Sequence, residues 1–181
     1  ARGAGSDVVL GSEQSLVLRG LIEADDDIIV SSGQNIVAGQ DSIVVEATSQ
    51  LRSLGGGGII SITGLNDVVI NGLVGTGSTN LAALNIEATN GELLVTRESG
   101  RIESDAPIAL SGVQVNVSGV LFGTGITPTI GDYELKIDAS DLVTISGDVQ
   151  TVGSSLIDAG RVEIYDTTLI ISGTGHRLVI D

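Results

Sequence analysis

Apolar and polar residues alternate along most of this chain in short runs with a period of two. Val113, Val115 and Val117 are interleaved with Gln114 and Asn116, and Ile60 and Ile62 flank Ser61. This alternation predicts β-strands with one buried face. The runs stop at Gly or at Ser-Gly and Asn-Gly pairs, where positive φ is cheap for Gly and tolerable for Asn. The expectation is short strands joined by tight turns.

The runs recur as a unit. Leu135-Lys136-Ile137-Asp138-Ala139-Ser140 leads into Leu142-Val143-Thr144-Ile145-Ser146-Gly147-Asp148-Val149, and the opening returns as Leu156-Ile157-Asp158-Ala159. Related openings are Ile22-Glu23-Ala24, Val45-Glu46-Ala47, Ile86-Glu87-Ala88 and Ile180-Asp181, with looser ones at Ile62-Thr63-Gly64 and Leu110-Ser111-Gly112. The leading positions 22, 45, 62, 86, 110, 137, 157 and 180 are separated by 23, 17, 24, 24, 27, 20 and 23 residues. A second apolar run ends at Val30, Ile70, Val95, Val117, Ile145 and Ile164, 7 to 9 residues beyond its opening. Most are followed by a small polar residue and Gly, as in Ser32-Gly33, Asn71-Gly72, Ser99-Gly100, Ser118-Gly119 and Ser146-Gly147. A third apolar stretch follows, as in Leu73-Val74, Val120-Leu121 or Val149. Gly-Thr-Gly recurs at 75–77, 123–125 and 173–175, about two units apart each time.

Three short strands and three turns per unit, with no unit able to bury its apolar face alone, define a stack that builds one continuous core. The predicted fold is all-β: a right-handed parallel β-helix, or β-solenoid, of about eight coils of roughly 22 residues. Residues 1–181 form a single continuous segment, because a rod grows along one axis and length forces no division. The terminal runs resemble cut strands, so the segment is expected to belong to a longer chain.

Composition narrows the chemistry. Apolar residues make up 41% of the chain but aromatics only 2%, namely Phe122, Tyr133 and Tyr165. Aliphatic side chains stack in register inside a narrow tube, and the scarcity of rings argues against tandem immunoglobulin-like sandwiches. There is no Cys, hence no disulfide framework and no thiolate metal site. No apolar run approaches the 18 or so residues of a membrane helix. A net charge of −15 with only eight Lys and Arg excludes phosphate-directed nucleic-acid binding as the expected activity. The same charge favours solubility and leaves room for divalent cations.

The candidate metal ligands are Asp25, Asp26 and Asp27, three adjacent carboxylates at a turn that could gather calcium, a cation that takes several oxygen ligands. The alternative is a solvated acidic turn, since no known calcium-loop spacing accompanies them. Leu54-Gly55-Gly56-Gly57-Gly58 is followed by a strand rather than a helix, so it is a turn and not a phosphate cradle. Arg97, Glu98, Arg101, Glu103 and Asp105 form the densest charged region, expected to be a salt-bridge array or a recognition patch. Between Phe122 and Tyr133 the spacing swells around Pro128, which cannot donate to a ladder, and a protruding loop is expected there. His176, the only histidine, lies in a turn with no nucleophile motif to support it. No catalytic residue is predicted, and the chain is not expected to be an enzyme. Thr127 and Thr129 make a single Thr-x-Thr triplet, too little for an ice-binding row, and the gaps do not fit a hexapeptide acyltransferase rhythm.

The motif Leu-x-Ile-Asp-Ala-x-x-Leu-Val-x-Ile-Ser-Gly-x-Val, from Leu135 to Val149, resembles the repeats of filamentous-haemagglutinin-like adhesins and related large bacterial β-strand-repeat exoproteins. The resemblance covers most of the chain in style and marks core and turn positions only, so no functional residue carries over. It implies a structural or adhesive segment of a secreted fibrous protein at the bacterial cell surface. Its expected partners are neighbouring solenoid segments or copies of itself, with a host, cell-surface or glycan ligand, and no cofactor beyond the calcium candidate. Two other readings compete: a β-helix carbohydrate-active enzyme or carbohydrate-binding module, and a filament subunit that stacks end to end.

The inside–outside assignment is directly testable. Ile137→Asp buries a charge and should cost more than about 4 kcal/mol, whereas Asp138→Asn on the opposite face should stay within about 0.5 kcal/mol. Equal effects in thermal unfolding would sink the assignment.

Overall fold

A computed structural model describes residues 1, 3–33, 40–78, 80–124, 133–165, 167–172 and 176–181. The first coil is β1 (Val8–Ser12), β2 (Leu16–Leu18) and β3 (Leu21–Ala24). The second is β4 (Ile28–Ser32), β5 (Ile43–Val45) and β6 (Gln50–Ser53), and the third β7 (Ile59–Gly64), β8 (Val68–Ile70) and β9 (Leu73–Val74). In the next four coils the first two strands merge into one bent strand. These are β10 (Ala83–Val95) with β11 (Arg101–Ser104), β12 (Ile108–Val117) with β13 (Val120–Gly123), β14 (Leu135–Ile145) with β15 (Asp148–Thr151), and β16 (Ser155–Ile164) with β17 (Leu169–Ile171). β18 (Leu178–Ile180) begins an eighth coil. Every pairing is parallel and joins a strand to its counterpart one coil away, and no helix occurs among the described residues. The fold is the β-solenoid that the alternation predicts.

The core consists of aliphatic columns. On the first face one inner column reads Leu10, Val30, Ile62, Ile86, Leu110, Ile137, Ile157 and Ile180. On the second it reads Leu18, Val45, Ile70, Val95, Val117, Ile145 and Ile164. On the third it reads Ile22, Leu51, Val74, Ile102, Leu121, Val149 and Leu169. From Val30 to Ile157 the first-face column is no more than 1% exposed. Burial of each such side chain is worth about 1.5–3 kcal/mol relative to exposure, so the columns supply the cohesion of the rod.

The repeat count differs from expectation. There are seven complete coils and one further strand, rather than eight coils of about 22 residues. Six of the eight expected openings, from Ile62 to Ile180, occupy one column in register. Ile22 instead lies on the third face and Val45 on the second, while Val30 takes the first-face position of the second coil. The physical reason is spacing: β4 ends at Ser32 and β5 begins only at Ile43, whereas β1 ends at Ser12 and β2 begins at Leu16, so the first two coils fall out of phase with a repeat counted back from Ile62. An apolar–acidic–Ala triplet describes any strand with an inner, an outer and an inner position, so it does not name a face.

The Ser-Gly corners also have a different cause from the one expected. Gly33, Gly75 and Gly77 do take positive φ, but Gly72, Gly100, Gly119 and Gly147 are not among the positive-φ residues. These four lie at the second-to-third corner. A Cβ on Gly72 would overlap the Glu46 carbonyl oxygen, and one on Gly100 that of Ile70. One on Gly119 would overlap the Gly100 oxygen, and one on Gly147 that of Gly119. The requirement is close approach of stacked backbones. The Gly100 oxygen also accepts a 3.0 Å hydrogen bond from the Val120 N–H, which fixes its position.

Gly119→Ala should therefore destabilise the rod by about 2–3 kcal/mol, the cost of overpacking against immobile backbone. Gly11→Ala, whose Cβ would meet only Ser31 Oγ at an ordinary 3.6 Å, should stay within about 0.5 kcal/mol. Chemical denaturation of the two variants checks the difference, and equal midpoints would refute the stacking argument.

Candidate functional site: corners of the rod

The main inner columns are aliphatic, so most polar chemistry lies at outward positions and corners; Ser53, Ser104, Thr151 and Ser155 are buried at inward strand positions, and Glu134 is buried just before β14. Asp25, Asp26 and Asp27 form the third-to-first corner between β3 and β4. Their backbone is tied inward: the Asp25 and Asp26 N–H groups each donate to the Ser6 carbonyl at 3.1 Å. Gly55 and Gly58 of the next coil pack so closely on the Asp25 and Asp26 carbonyls that a Cβ at either glycine would overlap them. The first and last glycines of the four-glycine run thus form a close-packed support for the acidic corner.

The carboxylates here serve the gaps in the ladder. Asp7 Oδ1 accepts from the Asp27 N–H at 3.2 Å, and Asp27 Oδ1 accepts from the Ile59 N–H at 2.8 Å. Asp67 Oδ1 accepts from the Glu92 N–H at 2.7 Å, and Asp105 accepts from the Asn80 and Leu81 N–H groups at 2.6 and 2.9 Å. Among the described residues no group of three or more His, Asp or Glu side chains is arranged to hold a metal ion. Asp26 remains crowded. Loss of hydration, then repulsion from Asp27, Asp7 and Asp25, raises its carboxyl above the ordinary value of 3.8.

The charged region from Arg97 to Asp105 divides in two. Arg101 pairs with Glu103 at 3.1 Å and lies 5.9 Å from the centre of the Phe122 ring, within cation–π range. Asp105 caps backbone as described. Arg97 and Glu98 join no ion pair among the described residues. They project from the second-to-third corner of the fourth coil, and Glu46, Ala47 and Thr48 project from that of the second. The third coil turns the same corner with only Asn71 and Gly72, between β8 and β9. Two long corners flanking a short one leave a notch of about 440 Å³ lined by Glu46, Thr48, Asn71, Thr96, Arg97, Glu98 and neighbours.

Electrostatically the notch is mixed. Glu46 is held by Arg19 of the first coil through two 2.8 Å contacts, Nε to Oε2 and Nη2 to Oε1. The hydrogen bond from Arg19, with its charge, holds the Glu46 carboxyl below its usual value despite some loss of hydration. Sequence reasoning singled out Arg97 and Glu98 as part of a patch but missed Glu46, Thr48, Asn71 and Thr96. Glu46, Thr48 and Asn71 lie 26 or more residues from Arg97, and only the coil register brings them to it, whereas Thr96 is its neighbour in sequence. His176 is half-buried near β18. Pro128, Thr127 and Thr129 lie outside the described residues, as do Gly125 and the third Gly-Thr-Gly.

Comparisons with protein families, with curated proteins and with solved structures find no match. No helix among the described residues is long and apolar enough to cross a membrane.

The crowding at Asp26 has a pH signature. A raised carboxyl pKa favours the folded state most below about 3.8, and that contribution is lost as pH rises through the raised value. Asp26→Asn should therefore raise the Tm at pH 7, with the gain disappearing below pH about 3.8. Added CaCl₂ extends the test. A calcium-dependent rise in Tm that Asp26→Asn abolishes would make the corner a cation site, and no rise would leave it a capping device.

Proposed function

We propose that this chain is a structural or adhesive segment of a secreted bacterial fibrous protein, acting at the cell surface. The observation that supports this reading is the set of aliphatic columns running the length of the rod, with the charged groups of the described residues, apart from the buried Glu23 and Glu134, on its outside. Such a stack shares axial load among many parallel ladder hydrogen bonds, while corners of variable length present contacts. The repeat motif from Leu135 to Val149 and its likeness to filamentous-haemagglutinin-like exoproteins point the same way.

A second reading, a subunit that stacks end to end, is favoured by the inner residues at the two ends of the rod. Val8, Leu10, Leu16 and Ile22 at one end, and Val162, Leu169 and Leu178 at the other, are aliphatic and only partly buried. They would complete their columns against a neighbouring solenoid segment or a second copy.

The native mass of the secreted protein, measured with electron microscopy of the same sample and antibody labelling of intact cells, tests both. A surface-labelled thin rod far heavier than 18.3 kDa is the expected result. A mass equal to that of the chain, with particles joined end to end, would favour the filament subunit. Absence of surface labelling would overturn the proposal, and release of reducing ends from a polysaccharide would favour a carbohydrate-active enzyme instead.

A further inference from the structure

The second-to-third corner is built differently in the two halves of the rod. In the fifth and sixth coils its hydroxyls satisfy one another: Ser118 Oγ lies 3.0 Å from Ser146 Oγ and 2.8 Å from Asn116 Oδ1. In the notch between the second and fourth coils they do not. Asn71, Thr48, Ser99, Arg97 and Glu98 all line it, and their side chains make no hydrogen bond among the described residues. Polar residues from three coils thus border one open surface depression of about 440 Å³, within the range of about 300–1,000 Å³ of small-molecule sites.

Charge selects the ligand class. Arg97 and Arg177 are the two side-chain cations without an ion pair among the described residues, and Arg97 is the one in the notch. A planar guanidinium fork matches a carboxylate bidentately. Glu46 is already neutralised by Arg19, so Arg97 is opposed locally only by Glu98. The chain as a whole carries −15, which repels an extended polyanion but acts weakly on a single charge beyond a Debye length of about 8–10 Å. Asn71, Thr48, Ser99 and Glu98 supply the mixed donors and acceptors that hydroxyl groups require, and no aromatic ring lines the notch to act as a stacking platform.

We propose that this notch binds a saccharide bearing one carboxylate, an acidic sugar at the end of an otherwise neutral glycan. Arg97 takes the carboxylate, Asn71 and Glu98 hydrogen-bond the ring hydroxyls, and ordered water around the corner is displaced. The assignment deepens the adhesive reading and rests on it for its biological sense, but it is tested on the isolated chain. Its failure would leave the rod and mass measurements untouched.

The experiment titrates 3′-sialyllactose, a glucuronic-acid-terminated disaccharide and lactose into the protein, followed by amide NMR shifts. Both acidic sugars should shift Asn71, Thr96 and Ser99, and lactose should bind about tenfold more weakly or worse, the loss expected for one charge-assisted hydrogen bond. A response to one acidic sugar only would identify the source of the carboxylate. Arg97→Ala should remove the preference for the acidic sugars, Arg97→Lys should weaken it, and Arg177→Ala should leave it intact. The exposed Arg97 makes no internal bond, so all variants should keep the parent Tm. Equal binding of lactose, full binding by Arg97→Ala, no shift with either acidic sugar, or stronger binding of heparin would each overturn the proposal.

Discussion

The register of the stack is the constraint on which the rest of this molecule depends. Adjacent coils lie about 4.8 Å apart, so each inner side chain meets the corresponding side chains above and below before it meets anything else. A column such as Ile62, Ile86, Leu110, Ile137 and Ile157 can be filled only by aliphatic groups of similar reach. Large rings would force every neighbouring coil to make room, which explains why Phe122 and Tyr165 lie on outward or corner positions. The same spacing governs the corners. Where two backbones touch, as at Gly119 over Gly100, no side chain fits at all.

Once register is fixed, corner length becomes the one free variable. A residue inserted within a strand would move every later side chain to the opposite face. A residue inserted at a corner changes nothing inside. In the second coil β5 starts only at Ile43 after β4 ends at Ser32, and Ala47 and Thr48 lengthen the second-to-third corner, yet Val45 and Leu51 still fall into their columns. Surface relief, and with it any specific recognition, is therefore written in corner lengths. The notch above Asn71 arises this way, from two long corners and a short one.

The sequence makes the inner columns legible because alternation is a local property. Val113, Val115 and Val117 state which side is inside without any knowledge of their neighbours. Face assignment is not local. Ile22-Glu23-Ala24, Val45-Glu46-Ala47 and Ile86-Glu87-Ala88 read alike, but the first and third are inner–outer–inner strand segments on different faces, and the second runs from the end of β5 into a corner where Ala47 is exposed. The notch was illegible for a related reason: Glu46, Asn71 and Arg97 become neighbours only after the coils are counted correctly. Arg97 and Glu98 carried a signal in their charge, whereas Asn71 looked like an ordinary turn residue.

The acidic balance of the chain follows from the same geometry. Corners interrupt the ladder and leave N–H groups without strand partners, and buried or half-buried N–H groups must find acceptors. Asp is short enough to reach the N–H of an adjacent coil from its own corner. Asp7 does so for Asp27, Asp27 for Ile59, Asp67 for Glu92 and Asp105 for Asn80 and Leu81. Each accepts without offering a donor that would itself need satisfying. Part of the −15 charge is thus a consequence of ending strands economically. Repulsion accumulates where such corners crowd together, as it does around Asp26, and is relieved where a basic residue reaches across coils, as Arg52 does to Glu23 at 2.6 Å. A carboxylate cluster on a rod of this kind is therefore first a structural device, and a cation site only where its oxygens remain free of the backbone.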